Sequence, residues 1–579
     1  MPAITSILST AAAFVGLGLA IPHSSITARQ LATRSDASPS VTVKNGTIAG
    51  IHQPDYNQDF FLGIPFAQPP LEQLRFRNPQ SINASYDGVF QATEYAPMCY
   101  GYGGDQIGYP QSEDCLYLNV VRPSGYENQS LPVGVWIHGG GLYQGGSRDD
   151  RYNLTFIVEN AVRIGKPFIA VSIAYRLGPW GFLQSEEVST SGDTNIGLRD
   201  QRLALHWLHE NIDAFGGDCR KVTIWGESAG AGSVGWHITA YGGRDDGLFR
   251  AGIMQSGNPV PYNGYETLAK YQPQYDALVD ATNCTMAADT LTCLREVPSD
   301  SLAQLFSDTS SLNEGWRPIV DGDFIQRLAS AQLAEGAFVK VPILTGANTD
   351  EGTAFGPQGI DTDDQFRSYV ADRTENPYIP EDLADEVLAA YPNTPAYFIP
   401  PVENIGNYTF PASYGAQYRR AAAYAGDVTF IAHRRGASET WAANGLAAYS
   451  YRFNTVPAGI DFYVGATHFQ EVAFVFNNTL GLGYNEEHGT VNPFLNKSQS
   501  YYDLAAHMSK SWASFIYDSD PNYEVSWPES APAWPQYSLD KPENIVWDAN
   551  VSALAFVEPD TFREEGIRWI LDHAEEYNR

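Results

Sequence analysis

With 579 residues, 43% of them hydrophobic and only 18% charged against about 25% in an average globular protein, the chain can bury a large core and is not disordered. Acidic residues number 67 and basic ones 35, a formal net charge of −32 that repels phosphate backbones and anionic bilayers and so argues against nucleic acid or a membrane surface as partner.

The N-terminus predicts export. Ala3 to Ile21 has no charged side chain, Ile7 to Leu19 is apolar or small, and Gly18 and Ala20 fall at the −3 and −1 positions of a cleavage site before Ile21, so residues 1–20 read as a secretory signal. The run is short and interrupted by Gly and Ser, which argues against a membrane anchor. Residues 21–40 lack periodicity and read as a leader or disordered segment. Export agrees with glycosylation acceptors at Asn45, Asn83, Asn128, Asn153, Asn283, Asn407, Asn477, Asn496 and Asn550. It also agrees with the cysteines, whose positions suggest two local disulfides, Cys99 with Cys115 and Cys284 with Cys293. Cys219 is left unpaired, in a turn before a buried strand.

Strands then alternate with helices. Val133 to Ile137 and Pro167 to Ala174 read as buried parallel strands, Leu198 to Ile212 as a helix, and Lys221 to Trp225 as a strand followed by a helix from Ala229. Ala251 to Met254, Val341 to Thr345 and Ala447 to Phe453 repeat the strand pattern, and helices are predicted over Tyr501 to Tyr517 and Thr561 to Tyr577. Such alternation predicts an α/β fold with a large, mostly parallel sheet. No repeat or low-complexity linker divides residues 41–579, which predicts one domain with long insertions.

Between the strand ending at Trp225 and the helix after it stands Gly226-Glu227-Ser228-Ala229-Gly230. In G-x-S-x-G the glycines allow the sharp turn that lifts a serine hydroxyl above the sheet. His138-Gly139-Gly140-Gly141 follows the strand Val133 to Ile137 and offers converging amides for an oxyanion, completed by the amide of Ala229. A serine needs a base and the base an orienting carboxylate, in the order Ser, acid, His for this class. His237, His433, His468, His488, His507 and His573 follow Ser228, and of these His468 opens a loop at a strand end. Asp350 and Glu351, after the strand Val341 to Thr345, are equal candidates for the acid.

Further motifs surround these: Gly63-Ile64-Pro65-Phe66-Ala67 with Arg75-Phe76, Glu113-Asp114-Cys115-Leu116-Tyr117-Leu118-Asn119, Tyr175-Arg176 with Gly178, and Gly465 to His468 followed by Glu471 and Phe474. With them the sequence, from about Gly46 to its last helix, resembles the type-B carboxylesterases, the α/β-hydrolases that include cholinesterases and some fungal lipases. The resemblance implies a single catalytic domain over 41–579 and a triad of Ser228, Glu351 and His468, the family's acid being the glutamate before the glycine. It implies amides of Gly140, Gly141 and Ala229 as oxyanion hole, the same two disulfides, no cofactor and no metal. It also suggests two structural ion pairs, Glu113 with Arg176 and Arg75 with Asp200. Ala174, where an asparagine is frequent, and Cys219, where a proline is common, depart from the family pattern.

The expected activity is that of a secreted serine carboxylesterase on a small-molecule ester. Triacylglycerol lipase and cholinesterase are the alternatives inside the family, and a catalytically silent adhesion protein is the alternative outside enzymology. Residues 100–114 (YGYGGDQIGYPQSED) form a short, polar loop with one aliphatic side chain, Ile107, and no tryptophan. That is little apolar underside for a lipase lid, and little for a quaternary ammonium.

Overall fold

The computed structural model describes residues 38–372, 377–485, 489–525, 527–528 and 530–579. The expected signal segment, the leader up to residue 37, and His488 lie outside the described residues.

An eleven-stranded sheet forms the frame. In chain order its strands are β1 (Ile51–Gln53), β2 (Gln58–Pro65), β3 (Tyr117–Pro123), β4 (Leu131–Ile137), β5 (Ile169–Ile173), β6 (Gly217–Glu227), β7 (Ala251–Gln255), β8 (Ile343–Asn348), β9 (Ala448–Phe453), β10 (Glu543–Trp547) and β11 (Ala555–Pro559). Across the sheet they run β11-β10-β9-β8-β7-β6-β4-β5-β3-β2-β1. Every pairing from β10 through to β5 is parallel, whereas β11 and the β3-β2-β1 edge are antiparallel. The continuous apolar run LPVGVWI of β4 is buried throughout because both faces of the sheet are covered. Val133, Val135 and Ile137 pack with Val222 and Ile224 on one face, while Trp136 and Trp225 meet edge to face at 4.7 Å on the other. Helices α1 (Ile196–Asn211), α2 (Ala229–Gly243) and α3 (Gln499–Asp518) cover the sheet, and α4 (Glu564–Asp572) is shorter than the Thr561 to Tyr577 expected.

Two readings of the sequence need correction. Cys219 lies inside β6, within the register shift between Gly217 and Val222, not in a turn preceding the strand. It is unpaired and partly exposed, its thiol pushed up by burial. The four charges expected to form two ion pairs exchange partners: Arg75 binds Glu113, and Arg176 binds Asp200. The reason is local. Arg176 leaves β5 facing α1, where Asp200 accepts from its Nε (2.8 Å), its Nη2 (2.6 Å) and its main-chain nitrogen (3.0 Å). Arg75 instead reaches Glu113 on the disulfide loop, at 2.9 Å from Nη2 to Oε2. Both pairs are buried and bidentate, so removing one partner strands a charge.

The disulfides link Cys99 to Cys115 and Cys284 to Cys293. Of the nine acceptor asparagines, Asn83, Asn128, Asn283, Asn407, Asn496 and Asn550 are exposed and Asn45, Asn153 and Asn477 partly so; none is buried. Among the described residues no helix is long and apolar enough to cross a membrane.

Candidate active site

Strand β6 ends at Glu227 and α2 starts at Ala229, leaving one residue for the reversal. That residue, Ser228, takes φ 55° and ψ −122°, a conformation of high local strain for a side chain with a Cβ. The flanking glycines make it affordable sterically. A Cβ on Gly226 would meet the carbonyl carbon of Gly230 at 2.4 Å, and one on Gly230 would meet the Ile137 oxygen at 2.0 Å. Beside this elbow the loop leaving β4 turns through positive φ at Gly140 (92°) and Gly141 (66°). The amides of Gly140, Gly141 and Ala229 donate to no acceptor among the described residues, and both glycines border the cavity into which Ser228 opens. His138, which starts that loop, is buried, stacks on Tyr175 at 4.4 Å and is held near pKa 4 by burial.

His468 reaches the serine from the loop after β9. Its Nε2 lies 2.9 Å from Ser228 Oγ and its Nδ1 lies 2.7 Å from Glu351 Oε2. Glu351 is fully buried after β8, and its second oxygen accepts from Ser256 Oγ and from the Asn348 amide at 2.7 Å. Asp350, equal on sequence grounds, points elsewhere: its Oδ2 accepts from the Ala466 amide at 2.8 Å, and burial pushes its carboxyl up to about 7. The remaining described histidines after Ser228 lie outside the cavity. His237 and His433 are buried and held well below the usual imidazole range, His507 is bonded to Tyr523, and His573 stacks on Trp569.

Other groups at the site carry chemistry the sequence did not reveal. Glu227, the variable residue of the pentapeptide, is buried with Oε1 3.3 Å from His468 Nε2 and no hydrogen bond on that oxygen. Glu471 is buried too, its oxygens held by Asn348 Nδ2 (2.8 Å) and Gln255 Nε2 (3.1 Å). Burial raises both carboxyls. Burial alone would lower the imidazole, but Glu227, then Glu351 by charge and hydrogen bond, then Glu471, overcome it and lift His468 to about 9. Phe430 lies flat on the imidazole, 4.8 Å away at 4°, from a wider helical turn over Asp427–Ile431, and Phe355 meets it edge-on at 5.0 Å. For Glu227 a signal existed in its place inside the motif; for Phe430, some 38 residues from His468, none did.

The cavity above Ser228 measures about 880 Å³ and is walled by aromatic rings, among them Tyr143, Tyr152, Tyr262, Trp316 and Phe355. The short disulfide loop borders it through Asp105 and is anchored by polar contacts. Asp105 pairs with Arg151 at 2.5 Å, the Tyr102 hydroxyl accepts from Trp180 Nε1 at 2.6 Å, and Gln106 Oε1 accepts from the Gly145 amide at 2.8 Å. Ile107 points outward and is 44% exposed.

A mostly parallel sheet with a serine elbow between strand and helix defines an α/β-hydrolase. The model of the carboxylesterase family matches residues 37–554, and the chain belongs to that family: it is a hydrolase of carboxylic ester bonds. It is similar to Secreted lipase 1 of Botryotinia fuckeliana, 35% identical over 87% of this chain and 88% of the relative. Lipase 4 of Diutina rugosa is 38% identical over 69% of this chain and 77% of its own length. The crystal structure of EstA from Aspergillus niger superposes with a TM-score of 0.77 at 27% identity, covering 94% of this chain and all of that one.

Proposed function

We propose that the chain is a secreted serine esterase working through an acyl-enzyme, with Ser228 as nucleophile, His468 as base and Glu351 as its orienting acid. The observation that carries this reading is the unbroken hydrogen-bonded line from Ser228 Oγ through both imidazole nitrogens to Glu351 Oε2. As Oγ attacks the ester carbonyl its proton passes to Nε2, and Glu351 stabilises the resulting imidazolium. The oxyanion accepts from the amides of Gly140, Gly141 and Ala229, which have no competing acceptor among the described residues. Collapse expels the alcohol with the proton from Nε2. Water, deprotonated by the same nitrogen, then attacks the acyl carbon and releases the acid and free Ser228.

Esterase is preferred to lipase because the loop at the cavity edge is pinned by ion pair and hydrogen bonds, and the apolar underside that an oil surface could stabilise is small, two tyrosine rings, Tyr100 on Trp180 and Tyr102 on Phe306, with Ile107 turned outward. The names of the relatives favour the lipase alternative, so the measured interface dependence decides. A silent binding member is disfavoured by the assembled nucleophile, base and acid. Export rests on the N-terminal segment and on the accessibility of all nine acceptor asparagines. The test is labelling with a fluorophosphonate. Wild type should bear the adduct on Ser228, and Ser228→Ala should escape it and lose roughly 10⁴-fold or more in kcat. An adduct elsewhere with activity retained would remove the assignment.

A further inference from the structure

Most arginines in this acidic molecule are held by carboxylates or, like Arg148, Arg250, Arg419 and Arg579, by main-chain oxygens. Arg151, on the cavity wall, is bound by Asp105 and Asp149; Arg176 by Asp200; Arg199 by Asp321 and Asp323. Arg317 also lines the cavity and differs. Among the described residues no carboxylate lies within ion-pair distance of its guanidinium and no oxygen accepts from it, in a chain with 67 acidic residues. Its main-chain oxygen is used, accepting from Gln184 Nε2 at 3.4 Å, so the backbone is fixed while the charged head is free.

The position is tied to the triad. Tyr262, whose buried hydroxyl feels the charge of Arg317, has its ring 6.2 Å from Phe430, and Phe430 lies flat on His468. Asn263 and Arg317 share both the cavity and a small recess beside Tyr265. Among the described residues, none of the acidic groups lining the cavity pairs with the arginine. Asp105 is committed to Arg151, Glu227 is buried against His468, and Glu314 is exposed and outside ion-pair range of Arg317. Arg317 is partly exposed to the cavity, and the planar fork of its guanidinium matches a carboxylate in two parallel hydrogen bonds.

We infer that Arg317 is the receptor for a carboxylate that the substrate carries in addition to its scissile ester, making half-esters of dicarboxylic acids, or esters of hydroxy acids, the preferred substrate class. The inference rests on the serine-esterase reading and narrows it. It assigns Arg317 a specificity role, with the reacting atoms left to Ser228 and His468.

The source of the carboxylate is separated by two pairs of substrates. Mono-para-nitrophenyl glutarate against para-nitrophenyl valerate places the charge on the acyl side; para-acetoxybenzoate against para-acetoxybenzamide places it on the alcohol side. The readout is the ratio of kcat/KM, anionic over neutral. Wild type should favour the anion in one pair, Arg317→Gln should lower that ratio at least about tenfold, and Arg317→Lys should keep part of it. Wild-type hydrolysis of the valerate should also be inhibited competitively more strongly by glutarate than by its diamide, a measurement that decides even if the variants do not fold. A preference for the neutral ester in both pairs, a ratio unmoved in Arg317→Gln, or equal inhibition by acid and diamide would overturn the inference. Failure of wild type to turn over any of the esters would instead overturn the esterase reading.

Discussion

In the mechanism proposed above His468 Nε2 must be neutral to take a proton from Ser228, and Glu227 faces that nitrogen, so replacing Glu227 by Gln should change the pH at which the enzyme switches on. The imidazole is lifted from its ordinary 6.5 to about 9, and Glu227, 3.3 Å from Nε2, is the largest of the groups that lift it. A rise of that size corresponds to about 3.4 kcal/mol of preference for the imidazolium. With the amide in place Glu351 and Glu471 still act on the ring, so part of the elevation remains; the loss should exceed about one unit, or roughly 1.4 kcal/mol. The sign is fixed by the mechanism: a lower pKa leaves more neutral base at pH 7, so the acid limb of kcat/KM moves to lower pH and activity near neutrality rises relative to the alkaline plateau. The plateau itself should fall, because Glu227 also favours the imidazolium that forms as Ser228 attacks. Because burial raises Glu227 as well, the limb belongs to the pair and not to either residue. Initial rates with a soluble nitrophenyl ester from pH 5 to 10 check this. An acid limb that stays in place or moves upward would mean that Glu227 is already neutral there, and that the carboxylate field assigned to it does not set the base.

Glu351→Gln should cost several orders of magnitude in kcat while Asp350→Asn costs less than about one, since only Glu351 touches the imidazole. Asp350 carries a second, separate expectation. Its folded pKa of about 7 lies above its ordinary 3.8, so the stability it contributes is full below about 3.8 and is lost as pH rises through 7; Asp350→Asn should flatten that decline in urea midpoints measured between pH 5 and 8. With tributyrin, initial rate should saturate smoothly across the solubility limit, because opening residues 100–114 exposes little apolar surface beyond the rings of Tyr100 and Tyr102; a several-fold jump at the emulsion boundary would favour the lipase alternative.

The sheet was legible because parallel strands covered on both faces are written as unbroken apolar runs, and β4, β5, β7 and β8 each announce themselves that way. Ser228 and the glycines around it were legible for a steric reason: a one-residue reversal tolerates little else, and the sequence shows the tolerance directly. From residue chemistry alone the acid was readable only to within two neighbours, and the family resemblance singled out Glu351; adjacent carboxylates after a strand point to opposite sides, and composition does not say which one meets a residue 117 positions later. The ion-pair exchange has the same origin. Four charges were correctly singled out, but pairing depends on whether Arg176 faces α1 or the disulfide loop, and its main-chain nitrogen, which also binds Asp200, settles that only in three dimensions.

Electrostatics was the least legible layer, and it is the one on which function turns. Glu227, Glu351 and Glu471 come from β6, from the segment after β8 and from the loop after β9, three places that look unrelated until parallel strands bring their carboxyl ends to one edge. Of the three only Glu351 was expected to act on His468; together, out of water, they change the proton affinity of one imidazole. Arg317 is the converse case. Its charge is plain in the sequence, and what distinguishes it is that no acidic residue among those described pairs with it, a property of the folded surroundings and not of any motif. The same fold therefore gathers anions where a proton must be held and leaves a cation open where a ligand's carboxylate has room to bind, so the pH profile of the Glu227 variant and the charge preference of the Arg317 variant report on two separable parts of one cavity.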